Sequence, residues 1–152
     1  MRILKALLAA AAASIVSSAV LSGQILIHDP YARVSSKSAK SGAAFMIIHN
    51  HSSENDVLIS VESSVAQKVE LHTHKEVEGV MKMIKLEDGI VIPGMGHHAL
   101  KRGGDHVMFM GLTQSLHHGD QITVTLIFER AGSVKLKIPV DLERTDKVKH
   151  DH

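Results

Sequence analysis

The sequence predicts an all-β protein, an antiparallel sandwich or barrel, and two observations support that prediction. Apolar and polar residues alternate with a period of two along most segments, whereas helical periodicity is scarce beyond residue 23. Short turn signals rich in Gly, Pro, Asn and Asp separate these segments. With 152 residues, the chain has the length of one domain and is short for two.

The first 23 residues, MRILKALLAAAAASIVSSAVLSG, have the layout of a cleaved secretory signal peptide. Arg2 and Lys5 form a positive start, an Ala-rich apolar stretch follows, and small residues come next. Cleavage after Ala19 or after Gly23 fits those small residues. A membrane anchor is the alternative, but the stretch is only weakly hydrophobic. We therefore expect an exported chain, located in the periplasm, with no stable membrane insertion after cleavage.

The remaining chain divides into a β domain at residues 24–143 and a polar, flexible, His-containing tail at residues 144–152. Eight short strands are predicted before residue 121. In chain order they are Ile25–His28, Tyr31–Val34, Ala43–His49, Val57–Glu62, Lys68–His74, Gly79–Lys85, Ile90–Ile92 and Asp105–Met110.

The clearest strands come last, at residues 121–129 (QITVTLIFE) and 133–142 (SVKLKIPVDL). In both, every second residue is apolar, which predicts one face in the core and one towards solvent. Ala131-Gly132 between them predicts a hairpin turn. Pro139 has no amide donor, so it predicts an edge strand at that end of the sheet.

The amino-acid composition limits which metal ligands and which kinds of function are available to the chain. The chain contains 12 His, 7 Met and no Cys, with a formal net charge of +1. The near-zero charge argues against nucleic-acid binding, and the absence of Cys excludes disulfide scaffolds, thiol enzymes and thiolate metal sites. Imidazoles and thioethers remain as metal ligands, and they favour copper over magnesium or calcium. No phosphate loop, zinc-protease motif or nucleophile elbow is present, so we expect no enzyme activity.

Three predicted strands each place such side chains on one face. These are His72 and His74 in VELHTH (69–74), Met81 and Met83 in GVMKMIKL (79–86), and His106, Met108 and Met110 in GGDHVMFMGL (103–112). If the first two strands form a hairpin with a loop at Lys75–Glu78, His72 and Met83 come close. Two imidazoles and two thioethers form a soft, neutral ligand set that prefers Cu(I).

Packing and solvent exposure are the alternative explanations for these residue types. Methionines that alternate on a strand usually fill a core, and we favour that interpretation for Met46 and Met110. The pairs His97-His98 and His117-His118 flank predicted turns, which is typical of exposed loop histidines.

From about Asp29 to Val140 the sequence resembles the periplasmic copper chaperones that supply the CuA centre of cytochrome oxidase, the PCuAC family. The matching segments are DPYAR (29–33), VELH (69–72), GVMKM (79–83), GGDHVMFMGL (103–112), GD (119–120), TLIFERAG (125–132) and the valine at 134. The family motif is a His, ten residues, a Met, about twenty-one residues, then His-x-Met. Here ten residues (73–82) and then 22 residues (84–105) separate the corresponding positions. The additional residue can lie in the Pro93–Gly104 loop.

The resemblance implies a cupredoxin-like Greek-key β-sandwich that binds Cu(I) through His72, Met83, His106 and Met108. Many members carry a Met soon after the first His, where this chain has Thr73 and His74, so His74 is a candidate additional ligand. The implied role is to carry copper to the CuA site of cytochrome c oxidase subunit II or to another periplasmic copper chaperone. We expect a monomer, with Cu(II) as a candidate at secondary histidine sites.

Two other functions remain open at this point. One is a periplasmic Zn(II) or Cu(II) buffer that uses the abundant histidines, including His74, His97, His98 and the tail. The other is a metal-free Ig-like structural module whose methionines pack in the core.

Overall fold

The computed structural model describes residues 24–145. The predicted signal peptide and residues 146–152 of the predicted tail lie outside the described residues. Residues 24–145 contain ten β-strands and no α-helix, which confirms the predicted all-β class. The strands are β1 (Ile25–Arg33), β2 (Ser41–Asn50), β3 (Asp56–Glu62), β4 (Ala66–Val77), β5 (Val80–Lys85), β6 (Ile90–Ile92), β7 (Gly96–Leu100), β8 (His106–Leu112), β9 (Gln121–Phe128) and β10 (Gly132–Pro139).

These strands form two antiparallel sheets. The first sheet has the order β1-β2-β8-β4-β5, and β7 also pairs with β2. The second sheet has the order β10-β9-β3-β6. Apolar residues from both sheets, among them Ile48, Phe109 and Leu126, pack into one buried cluster. The structure is therefore a sandwich whose core lies between the sheets.

The predicted alternation in the last two strands is confirmed. Ile122, Val124, Leu126 and Phe128 of β9 are all buried, and each is followed or preceded by a more exposed residue. In the described residues β10 forms a ladder only with β9, so Pro139 lies in an edge strand as predicted.

The strand β7 was not predicted, and the expectation that His97-His98 lies in a loop is wrong. Residues Gly96–Leu100 pair with Met46–Asn50 of β2. Their sequence, GHHAL, contains no alternation of apolar and polar residues, so the pattern gave no strand signal. The backbone ladder with β2 holds the segment extended instead. The expected loop histidines His117 and His118 do lie in an exposed loop.

The hairpin of β4 and β5 is longer than predicted, and its register differs. The strand β4 continues to Val77, and the turn is the dipeptide Glu78-Gly79 rather than a loop at Lys75–Glu78. Both turn residues have positive φ, 51° and 79°, as a type I′ hairpin turn requires. The register consequently places His74, and not His72, directly opposite Met83.

A short loop at residues 101–105 separates β7 from β8, although both strands pair with the same edge of β2. The amide of Lys101 donates to the carbonyl of Asp105 at 3.0 Å, which closes the base of the loop. The loop therefore ends immediately before His106, the first residue of β8.

Candidate metal site

All five predicted ligands lie on the face of the first sheet that is turned away from the core. On β8 the alternation directs Val107 and Phe109 into the core, where both are 0% exposed, and leaves His106 and Met108 on the other face. The same alternation on β4 directs the buried Leu71 into the core. The expected site residues His72 and His74 therefore lie on the opposite face of the strand. The sequence pattern therefore predicted the correct faces.

The sheet register brings these residues together across three strands. His72 is directly opposite His106 on β8, and His74 is directly opposite Met83 on β5. The ring centroids of His72 and His106 are 6.2 Å apart, and those of His74 and His106 are 5.3 Å apart. Met108, two residues after His106 on β8, lies directly opposite Glu70 on β4.

A cavity of about 740 Å³ opens on this face, and its wall includes His74, Met83, His106 and Met108. His72 is not part of the cavity wall but lies behind it, as the cross-strand neighbour of His106. Hence four of the five predicted residues share one open cavity, and the fifth adjoins it.

His106 is held as a neutral ring with one nitrogen directed to a backbone acceptor. Its Nδ1 lies 2.9 Å from the carbonyl oxygen of Gly104, which can only accept, so Nδ1 carries the proton and donates. In the neutral form of the ring, the other nitrogen, Nε2, therefore keeps its lone pair. His106 is only 3% exposed, and this burial lowers its pKa below the ordinary value. Such a ring can bind a metal without first losing a proton.

His72 is oriented by a carboxylate that the sequence analysis missed. Its Nε2 lies 2.7 Å from Oε2 of Glu70, and its Nδ1 is buried with no hydrogen-bond partner. When Nε2–H donates to the carboxylate, Nδ1 keeps an unpaired lone pair. A carboxylate that accepts from the distal nitrogen of a histidine is a common support of metal ligands.

Glu70 is itself anchored by two lysines. Its Oε1 lies 3.4 Å from Nζ of Lys68 and 3.6 Å from Nζ of Lys85. The hydrogen bond with His72, and then the neighbouring lysines, lower the pKa of Glu70. Glu70 lies two residues before His72 and therefore on the same face of the strand. The alternation of residues along the strand could thus have identified Glu70 as a neighbour of His72.

The arrangement depends on methionine sulfur. Within residues 24–145 no group of three or more His, Cys, Asp or Glu side chains forms a metal-binding cluster. Met83 is 45% exposed on the edge strand β5, and Met108 is half-buried. Arg33 and Arg102 also line the cavity and make its rim basic. A basic rim disfavours a divalent cation about twice as strongly as a monovalent one.

Solved structures of PCuAC domains have the same fold as this chain. The structure is similar to that of a copper-bound PCuAC domain from PmoF2, with a TM-score of 0.65, 25% identity, and coverage of 79% of this chain and 94% of that chain. It is also similar to the solution structure of CuI-DR1885 from Deinococcus radiodurans, with a TM-score of 0.59, 28% identity, and coverage of 82% and 86%. The predicted cupredoxin-like sandwich of PCuAC proteins is thus confirmed at the level of the fold.

The chain belongs to the family described as "Putative lipoprotein LpqE-like", which matches residues 25–140. A relative from Leifsonia xyli subsp. xyli, "Putative lipoprotein Lxx21020", is 34% identical over 106 residues. That match covers 68% of this chain and 64% of the relative, so the chain spans less than two thirds of the relative's length. In the described part of the chain no helix is long and apolar enough to span a membrane.

Proposed function

We propose that this protein binds one Cu(I) ion through His72, Met83, His106 and Met108 and acts as a copper metallochaperone, not as an enzyme. The observation that carries the proposal is a pair of imidazoles, each with one ring nitrogen that the fold does not use, beside two thioethers. Nδ1 of His72 is buried without a partner, and the contact of His106 Nδ1 with Gly104 leaves Nε2 available. His74 faces Met83 across the hairpin and is the candidate fifth ligand.

The ligand chemistry supports Cu(I) over a divalent ion. Thioether sulfur is soft and neutral, and the proposed ligand set includes no carboxylate that would favour a hard dication. The basic rim formed by Arg33 and Arg102 acts in the same direction. The similar structures of a copper-bound PCuAC domain and of CuI-DR1885 support the same ion.

The position of Met83 supports transfer rather than permanent storage. It is 45% exposed, and the adjacent Val80 and Met81 of the same edge strand are 57% and 60% exposed. An acceptor that docks along β5 can replace the Met83 thioether first while the two imidazoles still hold the ion. We propose a CuA site of cytochrome c oxidase or another periplasmic copper chaperone as the acceptor. The signal-like residues 1–23 and the lipoprotein relative support an exported protein.

The binding proposal is tested by an anaerobic titration against a chromophoric Cu(I) chelator. The purified protein carries His150→Ala and His152→Ala, so that tail histidines do not contribute. We expect one tight Cu(I) site, weakened at least 100-fold in the double variant Met83→Ala/Met108→Ala. The control is Met95→Ala, which removes a 73% exposed methionine outside the cavity wall. Equal affinity in the double variant and the control would contradict the ligand set and favour a histidine buffer.

The transfer proposal needs a separate measurement. The Cu(I)-loaded protein is mixed with a soluble CuA domain, and the purple absorbance of the assembled centre is followed after addition of Cu(II). We expect Met83→Ala to retain less copper and Val80→Lys to bind copper normally but transfer it several-fold more slowly. Transfer at the unchanged rate by Val80→Lys would exclude docking along β5 while leaving the binding proposal intact.

A further inference from the structure

Four histidines gather at the opposite end of the same sheet face, remote from the cavity. We call His28, His49, His51 and His97 the histidine patch. His49 lies at its centre, directly opposite His97 of β7 in the sheet register. The ring centroid of His49 is 4.4 Å from that of His28, 5.2 Å from that of His97 and 6.3 Å from that of His51.

The ring nitrogens of the patch are not used by the fold. Within residues 24–145 none of the four imidazoles takes part in a hydrogen bond or an ion pair, unlike His72, His98, His106 and His118. His28, His51 and His97 are exposed, and only His49 is half-buried. Clustered imidazoles repel one another whenever they are protonated, and no hydrogen bond or ion pair within residues 24–145 stabilises their charged forms.

The spacing of the rings matches that of imidazoles bound to one ion. Metal–nitrogen bonds of about 2.0 Å place the centroids of two neighbouring imidazole ligands roughly 4.5–5 Å apart. The separations of 4.4 and 5.2 Å from His49 lie within about 0.2 Å of this range. The nitrogens do not yet converge, since no three such side chains form a cluster in the described residues. A shared ion would require these rings to rotate about their side-chain torsions.

We propose that the histidine patch is a second metal site, which binds Cu(II), and Zn(II) more weakly, through His28, His49 and His97. His51, which follows the end of β2, can supply a fourth nitrogen. The patch residues offer only imidazole nitrogen, which suits Cu(II) and Zn(II), and the intrinsic order of affinities places Cu(II) first.

The patch is separate from the proposed Cu(I) site. Phe45, the cavity-wall residue of β2 that is nearest to the patch, and His49 are four residues apart in the sequence, which corresponds to about 13 Å of extended strand. The two sites therefore share no ligand. The second proposal does not rest on the first.

The test is a Cu(II) titration in the presence of glycine as a competing ligand, followed by electron paramagnetic resonance. The protein again carries His150→Ala and His152→Ala. We expect one Cu(II) ion with three nitrogen ligands. In the variant His28→Gln/His97→Gln, which changes two exposed side chains, we expect at least tenfold weaker binding and fewer nitrogen couplings. The control His117→Gln/His118→Gln removes two exposed loop histidines instead and should bind as the parent does.

One further variant separates this site from the cavity. The parent with His106→Gln should retain the same Cu(II) spectrum and affinity, because His106 is not part of the patch. Unchanged binding in His28→Gln/His97→Gln, or loss of the Cu(II) signal in His106→Gln, would overturn the proposal. If circular dichroism shows that His106→Gln is unfolded, Met108→Ala replaces it, with the same expected result.

Discussion

At the scale of single residues, the candidate Cu(I) site depends on where two imidazole protons are held. A backbone carbonyl fixes the proton of His106 on Nδ1, and a carboxylate fixes that of His72 on Nε2. The two lone pairs are thus on different nitrogens of the two rings. The two residues lie directly opposite each other, with ring centroids 6.2 Å apart.

Glu70 is predicted to position His72 without binding copper itself. Replacement of the carboxylate by Glu70→Ala leaves Nε2 of His72 without its acceptor, so both tautomers become populated and the ring can rotate. We expect Cu(I) affinity to fall by about 10- to 100-fold, the usual effect of removing such a support. The same chelator competition measures the change. Glu70→Gln retains an acceptor oxygen and should lose less.

The matched control for this variant is Glu87→Ala. Glu87 also lies near Lys85, at 3.8 Å, but its side chain is 75% exposed. We expect no change in affinity from it. Wild-type affinity in Glu70→Ala would show that the contact with His72 is unrelated to metal binding.

The faces of these residues could be predicted from the sequence, but their partners could not. A period of two placed His106 and Met108 on one face because that rule is local to a strand. The contact of Glu70 with His72 is equally local and could have been found. The pairing of His74 with Met83 depends on a two-residue turn at Glu78-Gly79, and neither strand pattern specifies the turn length. The histidine patch combines three strands, one of them the unpredicted β7.

At the scale of elements, one buried carboxylate joins the strand β3 to the hairpin of β9 and β10. Asp56 is 4% exposed. Its Oδ1 accepts from the amides of Val57 and Arg130, both at 2.8 Å, and its Oδ2 accepts from the amide of Ala131 at 3.0 Å. The turn that the sequence predicted at Ala131-Gly132 is therefore held by a residue more than seventy positions earlier. The register of this turn therefore depends on a tertiary contact and not on the local sequence alone.

Asp56→Ala is predicted to destabilise the fold without affecting copper binding. It leaves three part-buried amides without their acceptor, and we expect a loss of about 2–4 kcal/mol in the free energy of unfolding. Urea denaturation measures the loss. Asp56→Asn keeps one acceptor oxygen and should lose less. Because Asp56 is in the second sheet and not in the cavity wall, Cu(I) affinity of the folded protein should not change, and a parallel fall in affinity would contradict this.

At the scale of the whole molecule, the two sheets have different roles. The second sheet supplies core residues and the contacts of Asp56, whereas the outer face of the first sheet carries both proposed metal sites. Arg144 closes the described domain: its guanidinium pairs with Asp29 and lies 4.1 Å above the ring of Tyr31. The sequence assigned Arg144 to the flexible tail, but in the structure its side chain packs on β1. The sequence contains no signal for the contact of Arg144 with Asp29, because these residues are 115 positions apart.

The stability of the metal-free protein is predicted to fall as the pH decreases below about 6.5. Burial lowers the pKa of His106. The hydrogen bond to the Gly104 carbonyl and the nearby Asp105 raise this pKa, whereas the neighbouring His74 and His72 lower it, and the net change is a decrease. In the unfolded chain His106 takes up a proton near pH 6.5. Below that pH the unfolded state binds more protons than the folded state, so the free energy of unfolding decreases, by at most about 1.4 kcal/mol per pH unit for this group.

Urea denaturation of the metal-free protein at pH 7.5, 6.5 and 5.5 tests this dependence. We expect the decrease between pH 6.5 and 5.5 to be smaller in His106→Gln, because glutamine carries no titratable proton but can still donate to the carbonyl of Gly104. The control His117→Gln removes an exposed loop imidazole and should keep the decrease of the parent. If His106→Gln and the parent lose stability equally over this interval, the neutral state of the buried ring is not what couples folding to pH, and the readiness of His106 to bind metal must have another origin.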